Sequence, residues 1–497
     1  MKEREAKLAA PSGFELPELG GADGADGGFL AEVLPPRRYG TTYWDTPDLR
    51  LARWGASLRF RDGEGWTVKL PSDRDGPVLV REEVTFEGGP RRVPEAAADL
   101  VRAYVRGAPL APVGRLRALR RPVALRNAVG EELAEVVDDE VQVIQGRRVA
   151  GRFRELEVEL GEAAGPDTMD RVLALLREAG AREAEPVSKY RRALGDRDVG
   201  PPELVPGDLA KDASVEDLLK RDLAEATLRL FRHEPAVRLG EDPEAVHQAR
   251  VACRRLRSTL RTFASMLEPE WTRRLRDELK WLADRLGEVR DADVMLARLS
   301  RRLDTLPDDD AAAGRRLLSG LATERDAARV RLLEAMREPR YTALLDDLVA
   351  AARAPAVLAS AAAPAAAAMT PLVADQWAKL RKAVRKAGGE PPDEVLHRIR
   401  VKAKRCRYAA EAVEPVVGGR ARDFAKAVAT LQDVLGEHHD GVVAEGWLRR
   451  RAGASRRNET LVAGELIGLE RADAAATRTA WRRAWRKLSK KRLTGWL

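Results

Sequence analysis

Residues 154–160 read RELEVEL, and their alternation decides the fold of the first part of the chain. Successive side chains of a strand take opposite faces, so Glu155, Glu157 and Glu159 share one face and Leu156, Val158 and Leu160 the other. The same rule sorts ASLRFR (56–61), where Arg59 and Arg61 oppose Leu58 and Phe60, and WTVKL (66–70), where Lys69 opposes Val68 and Leu70. In REEVTF (81–86), Arg81 and Glu83 oppose Val84 and Phe86, and in KEREAKL (2–8) Glu3, Glu5 and Lys7 align. Five strands thus carry one apolar and one charged face. A sheet with one solvated side is the commonest source of such a pattern. Here, however, the signs are sorted, with acids on the first and late strands and bases on the middle ones. A closed barrel with its charged face inward would set a cation site beside an anion site. Its apolar exterior would need covering by helices such as the amphipathic stretch at 168–180.

The residue types name a chemistry. Clustered carboxylates suit a hard divalent cation, typically Mg2+, which shares the phosphate oxygens of its substrate. Arg and Lys offer charge-assisted hydrogen bonds to phosphate. Together they describe a site for a condensed phosphate with metal, in which Glu3 and Glu5 would hold the cation and Lys7 would meet phosphate.

The whole chain is consistent with this. Its 497 residues are too many for one core, and a net charge of +9 suits a polyanionic partner. Cys253 and Cys406 stand alone in charged, helix-like stretches, so a reducing compartment is expected and a disulfide framework is not. There is neither an apolar signal core near the N-terminus nor a run of about 18 apolar residues. The expectation is a cytoplasmic protein without integral membrane contact.

After the Pro/Gly/Asp-rich stretch 195–214 the hydrophobic period becomes helical and stays so. This predicts a first domain over 1–195, a linker over 196–212 and a helical domain over 213–497. A second break at 353–371 divides the helical part into units of about 213–352 and 372–497. The two units repeat. VHQARVACRRLRSTL from Val246 matches LHRIRVKAKRCRYAA from Leu396, and LGEVRDADV from Leu286 matches LGEHHDGVV from Leu435. The two matches lie at nearly one offset and in one order, as a duplicated helical unit requires. On a helix His247, Arg250, Arg254, Arg257 and Arg261 fall on one face, and His397, Arg400, Lys404 and Arg407 repeat that row. A solvated basic face is the ordinary account of one such row; two in repeat register suggest a polyanion surface. One histidine per row is not a metal ligand set, and Tyr408 and Phe263 alone interleave the rows, which disfavours nucleic acid as the polyanion.

Residues 1–195 resemble the CYTH domain, the triphosphate tunnel metalloenzyme family. The likeness rests on the N-terminal ExExK (Glu3, Glu5, Lys7), TTYWDTPDLRLARWGASLRFR, WTVKLP, REEVTFEG, ELEVEL and SKYRRAL. It implies an eight-stranded antiparallel β tunnel with flanking helices that binds triphosphate with a divalent metal. Members hydrolyse inorganic or thiamine triphosphate, and some cyclise ATP. Carried over by motif, Glu3, Glu5, Glu155, Glu157 and Glu159 would serve the metal, Mg2+ or Mn2+. They would be joined by an aspartate for which Asp138 and Asp139 compete, Asp138 being favoured. Lys7, Arg59, Arg61, Lys69, Arg81 and Lys189 would contact phosphates, with the tunnel arginine of RLRALRRP either Arg117 or Arg120. Glu3, Glu5 and Lys7 are the expected catalytic set, and Glu83 is a lining acid by alternation alone.

The helical part resembles the CHAD domain, on HQARVACRRLRSTL, LGEVRDADV, HRIRVKAKRCRY and LGEHHDGVV. This implies an all-α domain of two pseudo-symmetric bundles with a basic surface for inorganic polyphosphate. His247, Arg250, Arg254, Arg257, Arg261, His397, Arg400, Lys404 and Arg407 carry over, with Arg255 and Arg405 added. Asp291 and Asp440 read as caps or ion-pair partners. The expected whole is an α+β metal-dependent triphosphatase, cleaving inorganic triphosphate or short polyphosphate and retained on polyphosphate in the cytoplasm. Thiamine or nucleoside triphosphate is the alternative substrate, for which Trp44, Trp54 and Trp66 are candidate pocket residues. A polyphosphate-binding protein without turnover is the alternative outside enzymes.

Overall fold

The structure is a computed structural model that describes residues 2–11, 13–20, 29–71, 73–75, 78–185, 187–453 and 456–497; the side chains of residues 2, 3, 73–75 and 78–81 lie outside what it describes. The chain divides into two compact units, 1–203 and 204–497.

The first unit is built on antiparallel strands β1 (Lys2–Ala9), β2 (Leu30–Val33), β3 (Arg37–Asp45), β4 (Ser57–Arg61), β5 (Gly65–Lys69), β6 (Asp73–Asp75), β7 (Val78–Phe86), β8 (Ala111–Arg126), β9 (Glu132–Gln145), β10 (Arg148–Leu160) and β11 (Arg182–Glu183). Its helices are α1 (Arg50–Trp54), α2 (Glu95–Leu100), α3 (Arg102–Val105), α4 (Thr168–Glu178) and α5 (Lys189–Ala193). The pairing path runs β1-β10-β9-β8-β3-β4-β5-β7, and β7 pairs back with β1, so eight strands form a ring of hydrogen-bonded neighbours. β2, β6 and β11 are short additions to it.

Register decides which residues meet. Glu5 lies opposite Glu159, Lys7 opposite Glu157, Glu155 opposite Asp139, and Asp139 opposite Arg120. The other face of the same strands is apolar: Leu156, Val158, Val136 and Val123 pack with Met169, Val172, Leu173 and Leu176 of α4. α4 therefore covers the exterior of the ring, as its amphipathic pattern predicts. The charged face is not charged throughout. Leu116 and Ala118 share the face of Arg120 on β8, and Val141 and Val143 that of Asp139 on β9. These four pack with Tyr43 and with Tyr190, Ala193 and Leu194 at α5. Part of the lumen is thus an apolar core on which α5 sits.

Residues 196–203, read as linker, belong to this unit. Glu203 accepts from Trp54 Nε1 at 3.0 Å and from Arg106 Nη2 at 2.7 Å, and Arg53 Nε donates to the Pro201 carbonyl at 2.9 Å.

The second unit is helical: α6 (Val215–Leu239), α7 (Pro243–Thr262), α8 (Pro269–Leu303), α9 (Asp308–Ala335), α10 (Pro339–Arg353), α11 (Ala365–Lys386), α12 (Asp393–Val417), α13 (Gly419–Ala452), α14 (Arg457–Leu488) and α15 (Lys491–Thr494). Ser214 and Asp217 form a capping box that starts α6. Successive helices pack within α6–α9 and again within α11–α14, so the two sequence repeats become two bundles of like order. α7 meets α12, which brings the two basic rows into one region. No helix among the described residues is long and apolar enough to cross a membrane.

Candidate active site and polyanion cavity

A cavity of about 370 Å3 opens into the ring of strands. Alternation delivers its wall: Glu5 and Lys7 from β1, Arg59 and Arg61 from β4, Lys69 from β5, Glu83 from β7, and Glu157 and Glu159 from β10. Among the described residues the lining holds eight basic and six acidic side chains. It also holds four charged residues that the sequence reading passed over, Arg37, Glu64, Glu135 and Arg191. Glu135 was legible, because it stands four residues before Asp139 on β9 and so on the same face. Arg191 was not, because it and Lys189 arrive from the helix α5, whose start is fixed by the Ser188 hydroxyl accepting from the Arg191 amide at 3.1 Å.

The floor of the cavity is an ion-pair network. Lys7 Nζ bonds the Glu157 carboxylate and lies 3.6 Å from Glu5 and 3.9 Å from Glu155. Lys189 Nζ bonds Asp139 and reaches Glu157 at 3.0 Å and Glu155 at 3.1 Å. Arg120 grips Asp139 through Nε at 3.0 Å and Nη2 at 2.7 Å, and Glu157 at 3.0 Å. On β4, β5 and β7, Arg59 meets Glu83 at 3.4 Å and Lys69 meets it at 2.6 Å. Arg61 meets Glu64 at 2.8 Å and lies 4.2 Å over the Tyr39 ring.

Burial and charge pull against each other here. Burial pushes the Lys7 ammonium down, but Glu157, Glu5 and Glu155 outweigh it and its pKa is raised; the same holds for Lys189 with Glu157, Glu155 and Asp139. Burial alone would raise the Glu157 carboxyl, yet Lys189, Lys7 and Arg120 hold it well below its ordinary value. Glu159 goes the other way: burial, then the negative charge of Glu157, raises it. Burial likewise raises Glu155, despite Lys189.

Two expected residues stand elsewhere. Asp138 does not face the cavity. It is buried on the opposite side of β9, where Arg154 grips it through Nε and Nη2, both at 2.8 Å, and Asp139 takes the inward place. Adjacent residues of a strand cannot share a face, and the register against Arg120 selects Asp139. Arg117 is exposed and lines a different groove with Arg38, Gln142 and Arg152, while Arg120 points inward. Glu3 and Arg81 pair backbone to backbone across β1 and β7, but their side chains lie outside the described residues. None of the three tryptophans lines the cavity. Trp66 is fully buried and donates to the Gly89 carbonyl at 3.1 Å, with Trp44 edge-on to it, and Trp54 is held by Glu203.

No group of three or more His, Cys, Asp and Glu set to hold a metal occurs among the described residues. The donor chemistry nonetheless fits one. Glu5 and Glu159 are register partners, and Lys7, 3.6 Å from Glu5, is already bonded to Glu157. Two carboxylates so placed suit a divalent cation that completes its shell with phosphate oxygens and water.

In the helical unit a cavity of about 300 Å3 lies between α7, α8, α12 and α13. Of the predicted residues it gathers His247, Arg250 and Arg254 from one repeat and Arg400 and Lys404 from the other. The Arg250 guanidinium lies against Gly287 and bonds Asp291 at 2.6 Å; that of Arg400 lies against Gly436. The Nε atoms of Arg254 and Arg400 are buried without a hydrogen-bond partner among the described residues. Burial and the arginines around it push Lys404 down to about 7. The remaining predicted residues are outside this cavity. His397 lies tilted against His439, Arg407 pairs with Glu411 at 2.7 Å, and Arg255 is drawn toward Glu225 at 3.7 Å and Asp222 at 3.8 Å. Arg261 neighbours Arg405, Arg276 and Arg257; burial first, then these like charges, lowers it to about 10.

Comparison with known proteins places these two sites in context. The profile of the CYTH domain matches residues 1–191, and that of the CHAD domain matches residues 221–449. The uncharacterized protein Rv2226 of Mycobacterium tuberculosis is 33% identical, over 92% of this chain and 91% of its own. Among solved structures, PptA from Streptomyces chartreusis is 25% identical and covers 55% of this chain and 99% of its own, with a TM-score of 0.47. The CHAD domain from the plant Ricinus communis is 29% identical and covers 56% and 94%, with a TM-score of 0.46.

Proposed function

The chain belongs to the CYTH and CHAD families, a CYTH domain followed by a CHAD domain, and from that premise we propose that it is a metal-dependent triphosphatase acting on inorganic triphosphate, with a polyphosphate-binding helical domain. The observation that carries the substrate is the cavity lining. Its charged groups of both signs suit a condensed phosphate, and of the candidate residues for a thiamine or nucleoside group beside it, Trp44 and Trp66 are buried in packing, Trp54 bonds Glu203 and none lines the cavity.

In this reading Arg37, Arg59, Arg61, Lys69 and Arg120 hold the non-bridging oxygens of the chain and stabilise charge on the leaving phosphate as the anhydride P–O bond breaks. Asp139 and Glu157 touch no substrate; they hold Arg120, Lys7 and Lys189 in place and keep those cations ionised. Glu5 and Glu159, with Glu3 from the same strand, would hold Mg2+ or Mn2+, which when bound neutralises phosphate charge toward an attacking water. In the helical unit, buried guanidinium donors without partners suit a linear polyanion.

The test is orthophosphate release from tripolyphosphate, with Mg2+, with Mn2+ and without either, for the wild type and Glu5→Gln, with thiamine triphosphate and ATP in parallel. Metal-dependent release that is greatest for tripolyphosphate and lost in Glu5→Gln is expected. Greater release from a nucleotide would overturn the substrate, and binding without release would leave a protein that holds triphosphate without turnover.

A further inference from the structure

The two repeats match closely around the helical cavity, and two lining positions differ in charge, Arg298 being answered by Trp447 and Arg290 by a histidine. His247 answers His397, Arg250 answers Arg400, Arg254 answers Lys404 and Asp291 answers Asp440, but Arg290 of the first repeat is answered by His439. Both Arg290 and His439 line the cavity. One corner therefore carries a permanent positive charge where its pseudo-symmetric counterpart carries an imidazole.

That imidazole is engaged. His439 and His397 sit with ring centroids 4.5 Å apart and their Nδ1 atoms 3.3 Å from each other. At that distance one Nδ1 donates and the other accepts, so the contact needs a proton on one of the two and a lone pair on the other. With both rings fully protonated, two N–H groups would face each other between like charges, and the pair must part. We propose that His439 is an anion-binding residue of this cavity, the counterpart of Arg290, and that it becomes one when the His397–His439 pair takes up a second proton and separates. The inference rests on reading the cavity as a polyphosphate site.

The surroundings set the direction. The pair faces Arg400 and Lys404 on α12 and Asp440 on α13; across the cavity stand Arg290, Asp291 and Arg298 on α8 and His247, Arg250 and Arg254 on α7. Cations dominate. Burial first, then Arg400, His397 and Lys404, holds His439 down at about 4. A polyanion in the cavity reverses the sign of that field and favours the protonated ring. Binding on the acid side therefore takes up a proton, and affinity rises as pH falls, by at most about tenfold per pH unit for each proton. Lys404, held at about 7, adds a separate dependence on the alkaline side.

The experiment is the affinity of the full chain for long-chain inorganic polyphosphate, whose internal phosphates stay ionised, at constant ionic strength from about pH 5 to about pH 8.5. Affinity should rise several-fold on the acid side in the wild type. His439→Arg should bind at neutral pH as tightly as the wild type does in acid, and His439→Asn should lose the acid gain. Lys404→Arg should lose only the alkaline dependence. A wild type flat below neutrality, or an acid gain that survives in His439→Asn, overturns the inference while leaving polyphosphate binding intact. No binding at any pH overturns the polyphosphate reading, and the inference with it.

Discussion

Asp138 and Asp139 are chemically the same residue in adjacent positions, yet the pleat sends them to opposite sides of β9. Asp139 is fully buried between Arg120 and Lys189, and burial is outweighed by those cations, so its carboxyl is held below its ordinary value. Asp139→Asn removes a carboxylate that Arg120 and Lys189 share, leaving them Glu157 and Glu155, and should cost about 1.5–3 kcal/mol as well as abolishing phosphate release. Asp138→Asn should cost about 1–3 kcal/mol through the loss of Arg154's partner, with phosphate release unchanged. Thermal unfolding and a phosphate assay on the two variants separate the roles, and equal loss of activity in both would refute the assignment. The alternation around 155–160 was legible from sequence because three like residues in a row leave only one way to sort them. Two adjacent acids are ambiguous until the register against Arg120 is known. Arg117 and Arg120 were undecided for the same reason.

At the level of elements, α5 and α6 each carry a consequence of burial. Tyr190 on α5 donates to Asp45 at 2.5 Å, and Asp45 also accepts from the amides of Leu51 and Ala52 at the start of α1. One buried carboxylate thus ties the helix that delivers Lys189 to the helix beside the cavity. Tyr190→Phe should destabilise by about 1–2 kcal/mol and lower the rate of phosphate release, with the metal requirement retained. On α6, Asp222 is buried against Thr259, and burial raises its carboxyl from 3.8 to about 7. The folded state then holds a proton that the unfolded state has lost, so stability falls as pH rises between about 4 and about 7 and stays lowered above. Asp222→Asn should therefore stabilise the chain by on the order of 2 kcal/mol at pH 8 and by little at pH 4. Melting temperatures at the two pH values check it, and an equal gain at both would show that the carboxylate is not the cause. The helical period announced α6, but not that its aspartate would be buried.

For the molecule as a whole, two sites for one anion class predict effects that do not cross. Glu5→Gln should abolish phosphate release and leave polyphosphate affinity unchanged. Arg254→Ala with Arg400→Ala should weaken polyphosphate binding by about 1.5–3 kcal/mol for each charged hydrogen bond lost, flatten its salt dependence, and leave tripolyphosphate turnover unchanged. Titration of binding against salt, beside the phosphate assay, decides it; loss of both functions in either variant would mean one shared site. The sequence by itself determined the two domain types, the strand faces and the helical repeat, because each follows from a local period of two or of 3.6 residues or from matched residues at one offset. It also determined most of the charged lumen, since alternation needs no knowledge of partners. Only the tertiary structure decided that Asp139 and Arg120 face inward, that the three tryptophans stand outside the cavity, that α5 rests on an apolar part of the lumen, and that His397 pairs with His439. Each of these depends on which strand or helix lies opposite, and a local period carries no information about its neighbour.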